Sequence, residues 1–470
     1  MYLILDQGGH GSRAVIFDAA ARVLGQHLVE IATRRGDDGE VEQDPEAVLR
    51  SCQRALGGAL AAARVRPTQI VAAGFCCQRA SIVCWDRRSG EPLTPVLSWQ
   101  DTRSVELLDR VAVDVETVAA ITGLCRSPHY GASKLAWCRE EVPAVQAALR
   151  RGQLAWGPLA SFLLFHLLDG RPYKVSASIA QRTMLYDLAE GRWSAPLLQA
   201  FAIEQATLPE CVSDLGEFGR LHLDGGSVPL RLFAGDQNLV PLAFDSLPDD
   251  VACLNLGTGA FFLRPLPASQ AAPRGLLRSV VPGSSARIAI EGTVNGAGAA
   301  FDWLREQHHC LALPWSALDQ ADADMPMFLN SIGDLGAPFF RTGIRPAFRP
   351  AGAGLEQQMR GVAESIGFLL RCIVDAGSDL PPLRELWVGG GLSRSQGLCQ
   401  TLAACLGLPL QRSSERDLSV RGALVTLAGD AALAATLDET VAAPAAAIER
   451  QTRRYQAWRE WLDGELAGAG

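Results

Sequence analysis

Lysine is nearly missing. Of the 43 basic residues in this 470-residue chain, only Lys134 and Lys174 are lysines, and neither is followed by Ser or Thr. A P-loop needs Gly-Lys followed by Ser or Thr, because the lysine reaches the phosphates and the hydroxyl reaches Mg²⁺. Walker-type nucleotide binding is therefore excluded. A basic block is missing too: the net charge is −8, which argues against a nucleic-acid binder. No run approaches the ~18 uncharged apolar residues of a membrane helix. The alanine-rich "GALVTLAGDAALAATL" carries Asp430 and reads as a buried helix instead. No charged region precedes "MYLILD", which reads as a strand, so no targeting segment is expected. The 12 cysteines include no CxxC pair and sit in apolar surroundings. That predicts free core thiols in a cytoplasmic protein. HExxH, EF-hand and GxSxG patterns are absent as well.

What is present is an ordinary globular composition, 48% hydrophobic and 20% charged. Residues 1–31 read as strand, Gly-rich turn, strand, turn, strand. A helix follows, with Asp44 as N-cap, Pro45 in the first turn, and an apolar stripe of Val48, Leu49, Cys52, Leu56 and Leu60. "IVAAGFCC" then reads as a strand. The layout recurs at 251–264, "VACLNLGTGAFFLR", with a hairpin-like "ARIAIEGTV" at 286–294. We read an internal duplication, with a linker near 240–250. The expected class is α/β, two domains of mixed β-sheet flanked by helices, at 1–242 and 243–470. Further on, "ELWVGGGLSRSQGLCQTLAACLGLPLQRSS" reads as strand, Gly389-Gly390-Gly391, helix (394–406) and strand. The last segment reads as an amphipathic helix over about 446–466.

Several turns could carry chemistry. Asp6, ending a strand before Gly8, Gly9, His10, Gly11, Ser12 and Arg13, offers a carboxylate and backbone N–H groups together. Such a turn can hold phosphate and a Mg²⁺ shell, and it is equally the composition of an ordinary hairpin. Gly257-Thr258-Gly259 occupies the equivalent place in the second half. The glycines at 389–391 miss the GxGxxG spacing, since Arg394 stands at the third glycine. A nicotinamide oxidoreductase would rest on that turn alone. Asp236, in Gly235-Asp236-Gln237 after "LRLFA", can accept a proton from a substrate hydroxyl or simply cap a helix. Gln78-Arg79 and Trp99-Gln100-Asp101-x-Arg103 join polar groups to an aromatic, which suits a polyhydroxylated substrate.

In this order the pieces resemble the FGGY family of carbohydrate kinases, which have an actin-like (ribonuclease H-like) ATPase fold. "LILDQGGHGSRAVIFD" is similar to the family's Asp-x-Gly phosphate turn. "GFCCQRASIVCWDRRSGEPLTPVLSWQDTRS" resembles its stretch ending Trp-Gln-x-x-Arg, and "TGLCRSPHYGASKLAW" its segment closing in Lys-x-x-Trp, here Lys134 and Trp137. "AQRTMLYDL", "LFAGDQ", "NLGTGAFFL", "EGTVNGAGAAFDWL", "ESIGFLL" and "GGGLSRS" follow in family order.

The resemblance implies transfer of the ATP γ-phosphoryl group to a hydroxyl of a small polyol or ketose, with ATP and Mg²⁺ as cofactors. Asp236 would be the general base, and Asp6 with Asp236 would hold the metal. Arg79, Trp99, His129, Asp236, Gln237 and Phe261 would line the substrate pocket. Gly8, Gly9, His10, Ser12, Arg13, Gly257, Thr258, Gly259, Gly298, Gly390, Gly391 and Ser395 would contact ATP. The glycerol-specific members carry two hydroxyl residues where this chain has Gly9 and His10. They carry a glutamate where it has Ala80, and a tyrosine where it has His129, with Tyr130 adjacent. Those changes shift the expected substrate from glycerol toward a longer polyol or a ketose. They also support the alternative of a catalytically weak, nucleotide-binding sugar sensor. No nucleic acid or membrane partner is expected. The family's dimers and tetramers leave a homodimer open.

Overall fold

A continuous apolar run at the amino terminus builds a strand that is buried on both faces. Leu3, Ile4 and Leu5 are at most 1% exposed. In the computed structural model, which describes residues 1–37, 39–319 and 325–468, Tyr2–Gln7 pairs antiparallel with Gly11–Phe17 and parallel with Ala72–Cys77. The full sheet has the order Leu215–Leu223, Gly226–Gly235, Ala72–Cys77, Tyr2–Gln7, Gly11–Phe17, Val23–Glu30. Three neighbouring strands, Tyr2–Gln7, Ala72–Cys77 and Gly226–Gly235, run parallel. Ligands in such sheets collect at the carboxyl ends of parallel strands, and the segments carrying Asp6, Gln78 and Asp236 leave from these ends.

The helix Pro45–Ala63 contacts this sheet. Asp44 caps it, accepting from the Glu46 N–H, and Pro45 stands in its first turn. Ile4, Val15, Cys76, Leu232 and Ala234 pack with Val420, Ala423 and Leu424 of the helix Leu418–Ala428. That helix corrects the reading of "GALVTLAGDAALAATL" as one helix. It stops at Ala428, where Gly429 takes φ 63°. Asp430 then caps a 3₁₀ turn, Ala431–Leu433. A second, antiparallel sheet of the first half joins Arg34–Arg35, Val41–Gln43, Val96–Leu97, Ile82–Asp86 and Leu154–Pro158.

The second half repeats the plan. Val251–Leu256 pairs antiparallel with Ala260–Pro267 and parallel with Glu385–Gly389. Its sheet has the order Leu277–Val281, Ser284–Val294, Ala260–Pro267, Val251–Leu256, Glu385–Gly389, Leu410–Arg412, Glu439–Val441. Both first hairpins close alike: Gly8 N–H donates to Gly11 C=O at 2.9 Å, and Gly257 N–H donates to Gly259 C=O at 2.9 Å. Helices Leu355–Ala376, Gln396–Leu406 and Ala445–Gly468 pack in this half. Trp458 of the last helix is fully buried, and Arg454 pairs with buried Glu364 at 2.6 Å. The middle of the three, expected over about 394–406, runs from Gln396 to Leu406 after a 3₁₀ turn at Gly391–Arg394.

The chain divides into two compact units after Asp245. Residues 278–288 and 419–434 cluster with the first unit, so the units are not the continuous stretches 1–242 and 243–470. The reason is packing: the segment 419–434 supplies one apolar covering of the first unit's sheet. Among the described residues no helix is long and apolar enough to cross a membrane.

Candidate active site

In the first unit the turn after Tyr2–Gln7 is held by glutamines. Gln43 Nε2 donates to Gly9 C=O at 2.7 Å. Gln78 Nε2 donates to Gln7 Oε1 at 3.1 Å and to Gln43 Oε1 at 3.4 Å. Gln7, Gln43 and Gln78 are all buried, and burying amides is favourable only when their polar atoms are paired. Asp6 stands directly across the hairpin from Arg13, and the two pair at 3.3 Å. The Trp99 indole nitrogen lies 3.8 Å from where a Cβ on Gly9 would be. A methyl group at Gly9 would therefore rest in ordinary contact with Trp99. His10 is exposed.

Two strands away, Gly226–Gly235 ends and Asp236 opens a short helix, Asp236–Leu239. Its Oδ1 lies 3.8 Å from Arg79 Nε and accepts from the Gln237 N–H at 2.7 Å. Arg79 Nη1 donates to Asn238 Oδ1 at 3.0 Å, and Asn238 Nδ2 donates to Val280 C=O at 2.7 Å. The first unit thus brings together Asp6, Arg13, Gly9, Trp99, Arg79, Asp236 and Gln237 at one end of its sheet. His129 joins them through Nδ1, 3.1 Å from Trp99 C=O. Burial, with the nearby Lys134 second, pushes the His129 imidazole down to about 4, so it is neutral near pH 7.

Several expectations need correction. Ser12 is fully buried, and its hydroxyl bonds Ser51 Oγ at 2.7 Å. Side chains alternate along a strand, so Ser12 points toward the helix Pro45–Ala63 and offers no hydroxyl to the turn. Ser395 Oγ accepts from Leu398 N–H at 3.3 Å as a helix N-cap. Asp101 is fully buried and accepts from Val41 N–H at 2.8 Å. Arg103 braces Asp101 and Glu42, each at 2.7 Å, and its guanidinium lies 5.0 Å above the Trp137 ring. Gln100 accepts from Arg35 at 2.9 Å. Of the Trp99–Arg103 motif only Trp99 faces the glycine turn; the rest is scaffold.

In the second unit the strands Val251–Leu256 and Glu385–Gly389 end side by side, with Asn255 opposite Gly389. Their two glycine turns leave from that end. Gly390 takes φ 96°, and a Cβ there would meet Leu256 C=O at 2.6 Å. A Cβ on Gly391 would meet nothing within 4 Å. Thr258 is exposed. Its carbonyl and that of Gly257 accept from Ala299 and Gly298 at 3.0 Å each, docking the helix Gly298–Gln307 on the turn. Phe261 lies on Ala260–Pro267, its ring 3.5 Å from where a Cβ on Gly259 would be.

Sequence reasoning did not find Gln7, Gln43, Asn238 or the part played by Lys134. The last is fully buried, with Nζ donating to Ser98 C=O at 2.6 Å, His129 C=O at 2.9 Å and Ala80 C=O at 3.4 Å. Its rarity in the composition and its place in the Lys-x-x-Trp segment were the signals for it.

The model of the FGGY family of carbohydrate kinases, N-terminal domain, matches residues 1–224, and that of its C-terminal domain matches 252–431. A glycerol kinase of Methylibium petroleiphilum is 32% identical, covering 97% of this chain and 97% of the relative. One of Roseobacter denitrificans is 30% identical over 99% of each. Among solved structures, Plasmodium falciparum glycerol kinase with ADP superposes with a TM-score of 0.85 at 21% identity, covering 99% and 98% of the two chains. A xylulose kinase of Brucella ovis gives 0.85 at 22% over 99% of each.

Proposed function

The chain belongs to the FGGY family of carbohydrate kinases, and from that premise we propose that Asp236 is the general base of ATP-dependent phosphoryl transfer to a small polyol or ketose. The observation that carries this is the placement of Asp236. It sits at the carboxyl end of a parallel strand, beside Arg79, two strands from the Asp6 turn. The family's activity is phosphorylation of small sugars or polyols with ATP, and the sensor reading gains no support from the comparisons.

In this reading the substrate hydroxyl meets the Asp236 carboxylate, which takes its proton as the oxygen attacks the γ-phosphorus. Phosphoryl transfer asks the protein mainly for positioning and charge neutralisation. Arg79 and Gln237 fix Asp236, and Trp99 and His129 flank the acceptor. We assign the first unit the sugar and phosphate side. We assign the second unit the adenine-nucleotide side, through Gly257, Thr258, Gly259, Gly298, Gly390 and Gly391. The Asp6 and Asp236 carboxylates are hard oxygen donors. A pair of carboxylates plus phosphate oxygens is what Mg²⁺ takes, so these two residues fit the ion. Mg²⁺ bound with ATP offsets phosphate charge. The twelve free cysteines fit a reducing cytoplasm.

Glycerol is named for the relatives. Here Ala80, with φ 64°, has a methyl group where the glycerol-specific members carry a carboxylate. We therefore place the acceptor among polyols and ketoses longer than glycerol. Incubation with ATP and Mg²⁺ across such compounds, glycerol included, followed by phosphorus NMR, tests this. One phosphate monoester is expected; a product from glycerol alone contradicts the substrate assignment. His10→Thr is expected to raise turnover or ATP affinity by restoring a hydroxyl to the turn. A drop instead would give His10 its own role at the phosphates.

A further inference from the structure

The assignment of Arg79, Trp99 and His129 to the sugar pocket leaves open what holds them in register. They come from three separate chain segments. The residues adjoining or forming their anchoring points are Ala80, Ser98 and His129 itself, and all three carbonyls accept from one ammonium. That group is Lys134, in the first turns of the helix Gly131–Glu141. An ammonium has three donors, and here each has a main-chain acceptor. A buried cation is costly unless it is hydrogen-bonded, and charge-assisted bonds to it are roughly twice as strong as neutral ones. The carbonyl of Ala80 comes from a residue in the left-handed region, so that segment relies on outside contacts to hold its shape.

Resting on the sugar-pocket reading above, the geometry points to Lys134 as a positioning residue: a buried ammonium that fixes the three substrate-bearing segments through their carbonyls. It touches no substrate itself. Burial pushes the Lys134 ammonium down to about 7. Asp101 opposes that shift, and Arg103 adds to it. The clamp is therefore charged at mildly acidic pH and loses charge as pH rises through about 7. Of the groups facing it, His129 titrates much lower, Arg103 stays charged, and Asp101 and Cys138 complete the set.

The test compares Lys134→Met with wild type and with Arg79→Gln, using the sugar identified by product analysis. Lys134→Met is expected to raise the sugar KM about tenfold or more while leaving the ATP KM unchanged, the signature of lost acceptor positioning. In wild type the sugar KM is expected to rise severalfold from about pH 6 to about pH 8.5, as a lysine shifted to this range titrates. ATP KM should stay flat there. If Lys134→Met does not fold, the wild-type profile decides. A flat sugar KM in that profile, or an unchanged sugar KM in Lys134→Met, overturns the proposal. If Arg79→Gln also leaves the sugar KM unchanged, the pocket reading itself fails. If Arg79→Gln raises it and Lys134→Met does not, only the positioning role fails.

Discussion

Asp236→Asn is expected to lower sugar phosphorylation by ~10³-fold, within the range that one general base contributes, while ATP binding survives. The amide keeps the shape and can still meet Arg79 and Gln237, which lie against the carboxylate now. What it loses is the ability to take the hydroxyl proton. Because the substitution is isosteric, the expected melting temperature stays near that of wild type. Turnover measured by product formation, beside ATP affinity by calorimetry, separates the outcomes. Retained turnover rules out the base assignment. Lost turnover with lost ATP affinity would move Asp236 from base to nucleotide ligand.

The second large effect is expected at the glycines after Glu385–Gly389, where two neighbours should behave differently. Gly390 has φ 96° and no room: an added Cβ would stand 2.6 Å from Leu256 C=O and 2.7 Å from Asn255 Oδ1. A residue other than glycine forced to φ 96° and ψ 173° costs about 1–3 kcal/mol, and the backbone clash adds to that. Gly390→Ala should therefore lower the melting temperature and weaken ATP binding together. Gly391 faces open space, so Gly391→Ala leaves the fold intact. If the nucleotide lies close to that backbone, Gly391→Ala still weakens ATP binding, by about tenfold or 1.4 kcal/mol. Unchanged ATP affinity in Gly391→Ala, with the fold intact, removes this turn from the nucleotide site. Sugar affinity should be unmoved in Gly391→Ala, since its ligands belong to the first unit.

The paired hairpins were legible because glycines punctuate alternating strands, a signal local to each segment. So was the cap at Asp44. Asp236 was legible as a carboxylate at a strand end, although Asn238, which holds the neighbouring Arg79, was not: that side chain bonds Arg79 and Val280, both far away in sequence. Ser12 and Ser395 were assigned to phosphate and adenosine by family pattern; the burial of Ser12 argues against its part, while Ser395 also serves as a helix cap. Ser12 alternates inward on its strand, and Ser395 stands where a helix N-cap belongs. Gln43 could not be placed at all, and Lys134 was placed only in a motif without its role, because Gly9, Ala80 and Ser98, whose carbonyls they meet, are remote in sequence. The same limit applied to residues 278–288 and 419–434, which pack with the first unit across long sequence separations.

The account stands most directly on acceptor-dependent ATP turnover. ADP release by the purified protein, with ATP and Mg²⁺, would be followed with and without polyols and ketoses of three to seven carbons. The account predicts slow release alone and strong stimulation by one compound, abolished in Asp236→Asn. Bound ATP with no stimulation by any acceptor would contradict it.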